Sequence, residues 1–470
     1  MMHLPDLTYA YLTSHIVPGP QSISYFGTLV LLPIALLIPR TTLSRWATFL
    51  LFWPVMVACA VHAWTRMGGV DVISVDTLLW ALFLLGLRDP WRDFRRVIRK
   101  ESKDKVGAPE TVVEGEDAAL LENDIDAPAA STTKTDLPYD EQPYPSTFWP
   151  RLVWINILLV SIRLNDWKIS SPSHDKHQPL PPAYRTRRAF ALKCVVCFLR
   201  GCLVLDLTRA YVSYDDYFTS PSISINAALP FASLWFIPPQ LLRTMLIGLQ
   251  AWAMISQLFY LPCLLPLALN AVGLLPDLWS PHTWSPYFGS SRVIFTHGVR
   301  GFWGAYWHQT MRWGVAGPGY ALADGLKLGK QSMLRYTIIA VSAFGLSGVV
   351  HMGLVPPEPL HATLSTNAER LCVAGFFWLQ PIAMVLEVLV ASAVRASGGG
   401  GGPEYWRAGT GLRVRMATNG LWAVLWFTLC IPLLGEAGRQ LGYWRVWPLP
   451  VSLWKGLRGE GWVVWPFLLE

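Results

Sequence analysis

A series of lipid-length apolar segments, each bounded by lysines or arginines, constrains this chain more than any other feature. The first three read Ile23 to Ile38, Trp46 to Trp64 and Val70 to Leu87, each close to the ~20 residues a helix needs to cross the hydrocarbon. Arg88, Arg92, Arg95, Arg96, Arg99, Lys100, Lys103 and Lys105 follow directly, and basic residues of this kind collect on the cytosolic side of a membrane. The pattern returns later. Arg185, Arg187, Arg188 and Lys193 open the segment Ala189 to Leu207, Arg335 opens Met333 to Val355, Arg395 closes Leu371 to Val394, and Arg413 and Arg415 precede Met416 to Leu434. With 52% hydrophobic and 15% charged residues, the chain is too apolar for a soluble protein of its length. The expected fold is all-α, a polytopic transmembrane protein of about 8–10 membrane helices with its N-terminus on the lumenal side.

Three regions are expected. Residues 1–100 form N-terminal transmembrane helices, 101–150 a disordered cytosolic loop poor in large apolar residues, and 151–470 the core. Phe148 to Trp167 is short and ends in charges, which predicts a membrane-surface or re-entrant helix. Residues 229–275 are apolar but broken by Pro230, Pro238, Pro239, Pro262 and Pro266. They hold either one long span with a half-helix or three short passes, and the flanking charges require an odd number. Trp444 to Glu470 is a Trp-rich interfacial or spanning return. Met1 to Gly19 lacks a basic, then apolar, signal pattern, so the first spanning helix is its own insertion signal.

The net charge of +7 sits at helix ends rather than along a stripe, which argues for lipid headgroups and against nucleic acid. Cys194-x-x-Cys197 lies on an apolar helix without a second ligand pair and reads as buried thiols. No metal or bound cofactor is expected.

Chemistry concentrates between Pro286 and Gly353. Within Ser347-Gly-Val-Val-His351-Met-Gly353, an imidazole stands inside an apolar helix, where a polar group is costly unless it faces a cavity or a partner. His351 lies sixteen residues beyond Arg335, about 24 Å along a helix. Ser347 precedes it by one turn, and Gly348 leaves room for a ligand or another helix. A neutral imidazole there can take a proton from an alcohol; the alternative is a structural imidazole bonded to its neighbours. In Gly301-Phe-Trp-Gly-Ala-Tyr-Trp-His308, a helical reading places Trp303 and Trp307 one turn apart and His308 on a stripe with Gly304 and Arg312. His308 and Arg312 then line the entrance for an anionic donor, or the segment is an aromatic belt anchor. Gln380 and Glu387 share a face two turns apart and either orient His351, bind a hydroxyl or join helices. A membrane transporter or lipid-binding protein using His351, Gln380 and Glu387 as a relay is the reading from another class, though no inverted repeat supports it.

Pro286-Tyr-Phe-Gly289, Arg300 to Gln309 and Phe344-Gly-Leu-Ser-Gly-Val-Val-His351-Met-Gly353 together resemble the wax synthase domain of the membrane-bound O-acyltransferase superfamily. They are most similar to its fungal branch that acetylates terpenoids and meroterpenoids. The resemblance implies an acyl-CoA-dependent enzyme of the endoplasmic reticulum acting in secondary metabolism, with acetyl-CoA as co-substrate and a hydrophobic alcohol as acceptor. A long-chain wax or sterol ester synthase is the other reading within that class. By this resemblance His351 is the catalytic histidine and His308 occupies the second motif position. Many relatives carry two arginines where this chain has Ala305 and Tyr306, which leaves Arg300 or Arg312 to meet donor phosphates. Trp303, Trp307, Ser347, Gln380 and Glu387 complete the expected substrate- and donor-binding set.

Overall fold

The computed structural model describes residues 23–66, 70–99, 139–161, 163–169, 184, 186–276, 279–356, 364–396 and 409–465. Residues 101–138 of the loop expected over 101–150 lie outside the described residues. The elements run α1 (Ile23–Leu37), α2 (Arg45–Arg66), α3 (Val72–Ala81, continued by a π turn over Leu82–Leu87), β1 (Phe94–Arg99), β2 (Tyr139–Gln142), α4 (Phe148–Val160) and β3 (Trp167–Ile169). They continue with α5 (Arg187–Val212), α6 (Pro239–Ala271), α7 (Arg292–Gly301, followed by a π turn over Phe302–Tyr306), α8 (Arg312–Gly325), α9 (Met333–Met352), α10 (Thr366–Ala396), α11 (Gly409–Gln440) and a short α12 (Leu453–Leu457).

Among the described residues, α2, α6, α9, α10 and α11 are long and apolar enough to cross a membrane, and α1, α3 with its π turn, and α4 supply shorter apolar helices. The radial order of polarity is that of a protein dissolved in lipid. Leu258, Leu265 and Leu429 lie outside, at 74%, 66% and 68% exposure, while Arg243, Gln250 and Gln380 are buried at 1%, 3% and 0%. An all-helical membrane body is what the hydropathy pattern dictates.

One detail differs from the sequence reading, and two alternatives it left open are decided. The basic segment after α3 is a strand: β1 pairs antiparallel with β2 and β3, with Arg96 opposite Gln142 and Phe94 opposite Ile169. The disordered loop expected to reach residue 150 therefore gives way at Tyr139, because Phe94 and Trp167, both fully buried, pack edge to face at 6.2 Å and Lys168 pairs with Glu141 at 2.7 Å. The apolar stretch 229–275 holds a single 33-residue helix, α6, with Pro262 and Pro266 inside it, about 50 Å long. Residues 444 to 465 contain only short turns and α12, with no spanning helix among them.

α8 joins the two halves of the molecule. A Cβ on Gly319 would meet Ser342 and Ile339 of α9 at 2.8 and 2.9 Å, and one on Gly317 would meet Phe83 at 3.0 Å. Small residues let membrane helices approach this closely. On the opposite side, Arg243 of α6 holds Asp215 through Nε at 2.9 Å and Nη2 at 2.8 Å and donates to the Ile225 and Ala227 carbonyls. A buried arginine with this many acceptors fixes the loop after α5.

Candidate active site

The aromatic segment is not one helix. α7 is kinked at Gly298, which has φ +67°, a conformation that glycine adopts without a Cβ penalty. The kink frees the amides of Val299 and Arg300, and both donate to the Glu387 carboxylate, at 2.7 and 2.9 Å. A Cβ on residue 298 would collide with that carboxylate. The chain then tightens into the π turn and leaves the helix at Trp307, whose ψ is 151°. Gln309 pins this exit by donating to the Trp303 and Trp307 carbonyls, at 3.0 and 2.7 Å. A π turn of this kind inside a helix often marks a functional site.

Consequently the predicted stripe of Gly304, His308 and Arg312 does not form, since Arg312 starts the separate helix α8. Trp303 and Trp307 meet edge to face at 6.0 Å and 70°. Trp303 turns into the core against Phe344, Phe376 and Phe377. Ala305 is buried, and Arg300 keeps a buried Nε without a hydrogen-bond partner.

The Pro286 to Gly289 motif folds onto the same turn, with the Gly289 amide donating to the Tyr306 carbonyl at 2.8 Å. Tyr287 stacks on His308 at 5.4 Å and 12°, and Phe288 contacts Tyr306 and Trp307 at 5.7 and 5.3 Å. His308 Nδ1 lies 2.8 Å from the Thr310 hydroxyl. Burial, then the neighbouring His351 and Arg163, lowers the His308 pKa to about 4. The ring is therefore neutral at physiological pH.

His351 is the penultimate residue of α9. Its Nδ1 lies 2.7 Å from the Ser347 carbonyl oxygen and 3.4 Å from the Ser347 hydroxyl. A carbonyl oxygen only accepts, so Nδ1 carries the proton and Nε2 keeps its lone pair. Phe377 lies along the ring at 4.0 Å and 28°. Gly348 makes room for a helix and not for a ligand, because a Cβ there would collide with Trp378, whose indole donates to the Gly345 carbonyl at 3.1 Å.

Gln380 and Glu387 sit on one face of α10 but bond elsewhere. Gln380 accepts from the indoles of Trp303 and Trp426, at 3.0 and 3.1 Å, and donates to the Phe376 carbonyl at 2.6 Å and to Cys430 Sγ at 3.4 Å. With these bonds made it holds the aromatic wall in place and has little capacity left for substrate.

Residues 284–378 match the Membrane bound O-acyl transferase family. That stretch of the chain is similar to the family. Among similar proteins are the acetyltransferase nanB of Aspergillus nanangensis, 41% identical over 18% of this chain and 19% of the relative, and the acetyltransferase atnC of an Arthrinium species, 25% identical over 72% of this chain and 73% of the relative. The acetyltransferase pyr8 of Aspergillus fumigatus is 27% identical over 61% of this chain and 64% of the relative. The stretches aligned with nanB and pyr8 thus cover less than two thirds of those proteins. No solved structure matches.

The residues that sequence reasoning missed are those that position the two histidines. Phe377 supports His351, Thr310 and Tyr287 support His308, and Arg163 tethers the motif loop by donating to the Ser285 hydroxyl at 2.7 Å and the Pro286 carbonyl at 2.6 Å. Tyr287 lay in view inside Pro286-Tyr-Phe-Gly289. Arg163 reads as a helix flank, and only the fold carries it 122 residues to Ser285.

The His308 environment predicts how stability responds to pH. Its folded pKa, about 4, lies below the unfolded value of ~6.5. The unfolded chain therefore binds the proton first, and stability falls as pH drops from about 6.5 toward 4, by up to ~1.4 kcal/mol per unit for this one group. Thermal melting of the detergent-solubilised protein between pH 7.5 and 5 should show a steeper decline for wild type than for His308→Asn.

Proposed function

We propose that the chain transfers an acetyl group from acetyl-CoA to a hydroxyl of a hydrophobic terpenoid or meroterpenoid within the endoplasmic reticulum membrane, in secondary metabolism. The observation that carries this reading is the bond between His351 Nδ1 and the Ser347 carbonyl, which leaves Nε2 as a proton acceptor on a half-buried ring. The acceptor O–H gives its proton to Nε2 as its oxygen attacks the thioester carbonyl. The tetrahedral intermediate then collapses, breaking the carbon–sulfur bond, and the departing CoA thiolate recovers the proton from the imidazolium. His308 is given the complementary role: an Nδ1 that accepts from the Thr310 hydroxyl, 2.8 Å away, leaves Nε2–H as the donor for the oxyanion, a role suited to a preset group in a dry site. Arg300, with its unbonded Nε, and Arg312 are the arginines assigned to the anionic donor.

The acetyl donor is supported by the names of the relatives, and the oily acceptor by the apolar, aromatic surroundings and the motif resemblance. A proton relay through His351, Gln380 and Glu387 loses its support because Gln380 bonds to indoles and Glu387 to the α7 amides. The test is to incubate microsomes holding the protein with labelled acetyl-CoA or palmitoyl-CoA and a panel of terpenoid, sterol and fatty alcohols. Acetyl ester on a terpenoid alcohol is the expected product; palmitoyl ester alone, or no ester, would overturn the reading.

A further inference from the structure

α5 carries an arginine that the mechanism above does not use. Arg200 lies thirteen residues beyond Arg187, about 20 Å along the helix axis. That is close to the ~24 Å separating Arg335 from His351 on α9, and both helices start at basic, cytosolic ends. Arg200 is exposed, and the exposed residues within one turn of it on its helix, Val196, Leu199 and Leu203, are all apolar. A guanidinium at such depth is costly unless it faces a cavity or a partner. Among the described residues no carboxylate pairs with it. Its recorded contacts are the Trp252 ring, 4.9 Å from the guanidinium carbon, a long Nη2 to Sγ approach of 4.0 Å to Cys197, and a position near enough for its charge to act on Tyr306.

Trp252 is the first ring of a continuous wall that ends at the reacting histidines. Trp252 contacts Phe288 at 6.0 Å, Phe288 contacts Trp307 at 5.3 Å, and Trp307 contacts His308 at 5.5 Å. A branch runs from Trp307 to Trp303 at 6.0 Å, on to Phe377 at 6.2 Å, and from Phe377 to His351 at 4.0 Å. The helix bearing Arg200 is held rigidly at this level. Gln257 of α6 donates to the Phe198 carbonyl at 2.8 Å, and a Cβ on Gly201 would collide with its amide.

Resting on the acyltransferase reading, we infer that Arg200 recognises a carboxylate carried by the acceptor at the end remote from its hydroxyl. Aromatic faces suit a flat, oily skeleton lying along the wall. The planar guanidinium matches a carboxylate through two parallel hydrogen bonds, and pairing the two charges removes the cost of each within the membrane. The donor phosphates are the competing anion; Arg300 and Arg312 are already assigned to them, and the KM for acetyl-CoA separates the two anions.

The test uses the full-length protein in phosphatidylcholine nanodiscs with a tritiated hydroxy-diterpenoid carboxylic acid and its methyl ester, and reads binding without any donor. Wild type should prefer acid to ester, Arg200→Gln should lower that preference roughly tenfold, the loss of one charge-assisted pair, and Arg200→Lys should fall between. The ratio of kcat/KM for acid over ester should drop in parallel, with KM for acetyl-CoA unmoved. Equal affinity for acid and ester in wild type, an equal loss for both ligands in Arg200→Gln, or a rise in KM for acetyl-CoA would overturn the assignment. Because the binding arm needs no turnover, absence of acetyl transfer would count against the proposed activity while still deciding the role of Arg200. Thermal melting confirms that each variant is folded.

Discussion

Replacing His351 by Ala should abolish ester formation, with kcat falling about 10³-fold, the range set by loss of a positioned general base. The arrangement makes this more than a general expectation. Nδ1 is engaged by the Ser347 carbonyl at 2.7 Å, so Nε2 is the only ring nitrogen able to take the acceptor's proton. The same carbonyl belongs to the helix itself and stays put in the variant, and the ring otherwise meets the Ser347 hydroxyl and the face of Phe377. Melting temperature should therefore change little while activity collapses. His351→Gln, which fills the volume but cannot accept and return the proton, should be equally inactive. Activity retained within tenfold in either variant, measured with labelled acetyl-CoA in microsomes, would remove His351 as the base.

Gln380→Leu should give the opposite pattern, a loss of stability that carries activity down with it. Gln380 is completely buried and accepts both the Trp303 and the Trp426 indole N–H. Leucine matches its volume but leaves two buried donors unpaired, at about 1–3 kcal/mol each. Trp303 is the ring between the π turn and the wall beside His351, through Phe344 at 5.4 Å and Phe377 at 6.2 Å. Freed of its acceptor, it no longer holds that wall at one distance. The measurement is thermal unfolding in detergent alongside kcat for both variants. A large fall in melting temperature for Gln380→Leu and a negligible one for His351→Ala separates a positioning residue from a reacting one; wild-type melting in Gln380→Leu would show that the indoles find other acceptors.

The outline of the membrane body was legible because its signals are local. Ile23–Leu37, Arg45–Arg66, Met333–Met352 and Thr366–Ala396 begin and end within a few residues of where apolar runs meet charges or prolines, since lipid length and basic flanks act on each segment separately. The readings that failed did so for the complementary reason. Phe94–Arg99 is rich in arginine and looks like a cytosolic flank, yet it is a strand because Phe94 finds Trp167 and because Tyr139–Gln142 pairs with it across a long gap. Gly301 to His308 has helical periodicity, yet it tightens into a π turn and leaves the helix at Trp307, where the Gly289 amide of the preceding loop holds the Tyr306 carbonyl.

The same division applies to the active site. His308 and His351 stand out in the sequence because an imidazole within or beside lipid-length apolar runs is conspicuous whatever surrounds it. Polar residues on membrane helices otherwise look alike until their partners are known. Gln380 and Glu387 share a face and a spacing, but one receives indoles from α7's turn and α11 and the other caps the kinked amides. The sequence alone determined the membrane class and the positions of most long helices, and singled out the two histidines as candidates, through hydropathy, charge and chemistry that reside in single segments. Only the tertiary structure decided which nitrogen of His351 is available, what holds His308, and which ring Arg200 meets, because each depends on groups that the fold brings within hydrogen-bonding or stacking range.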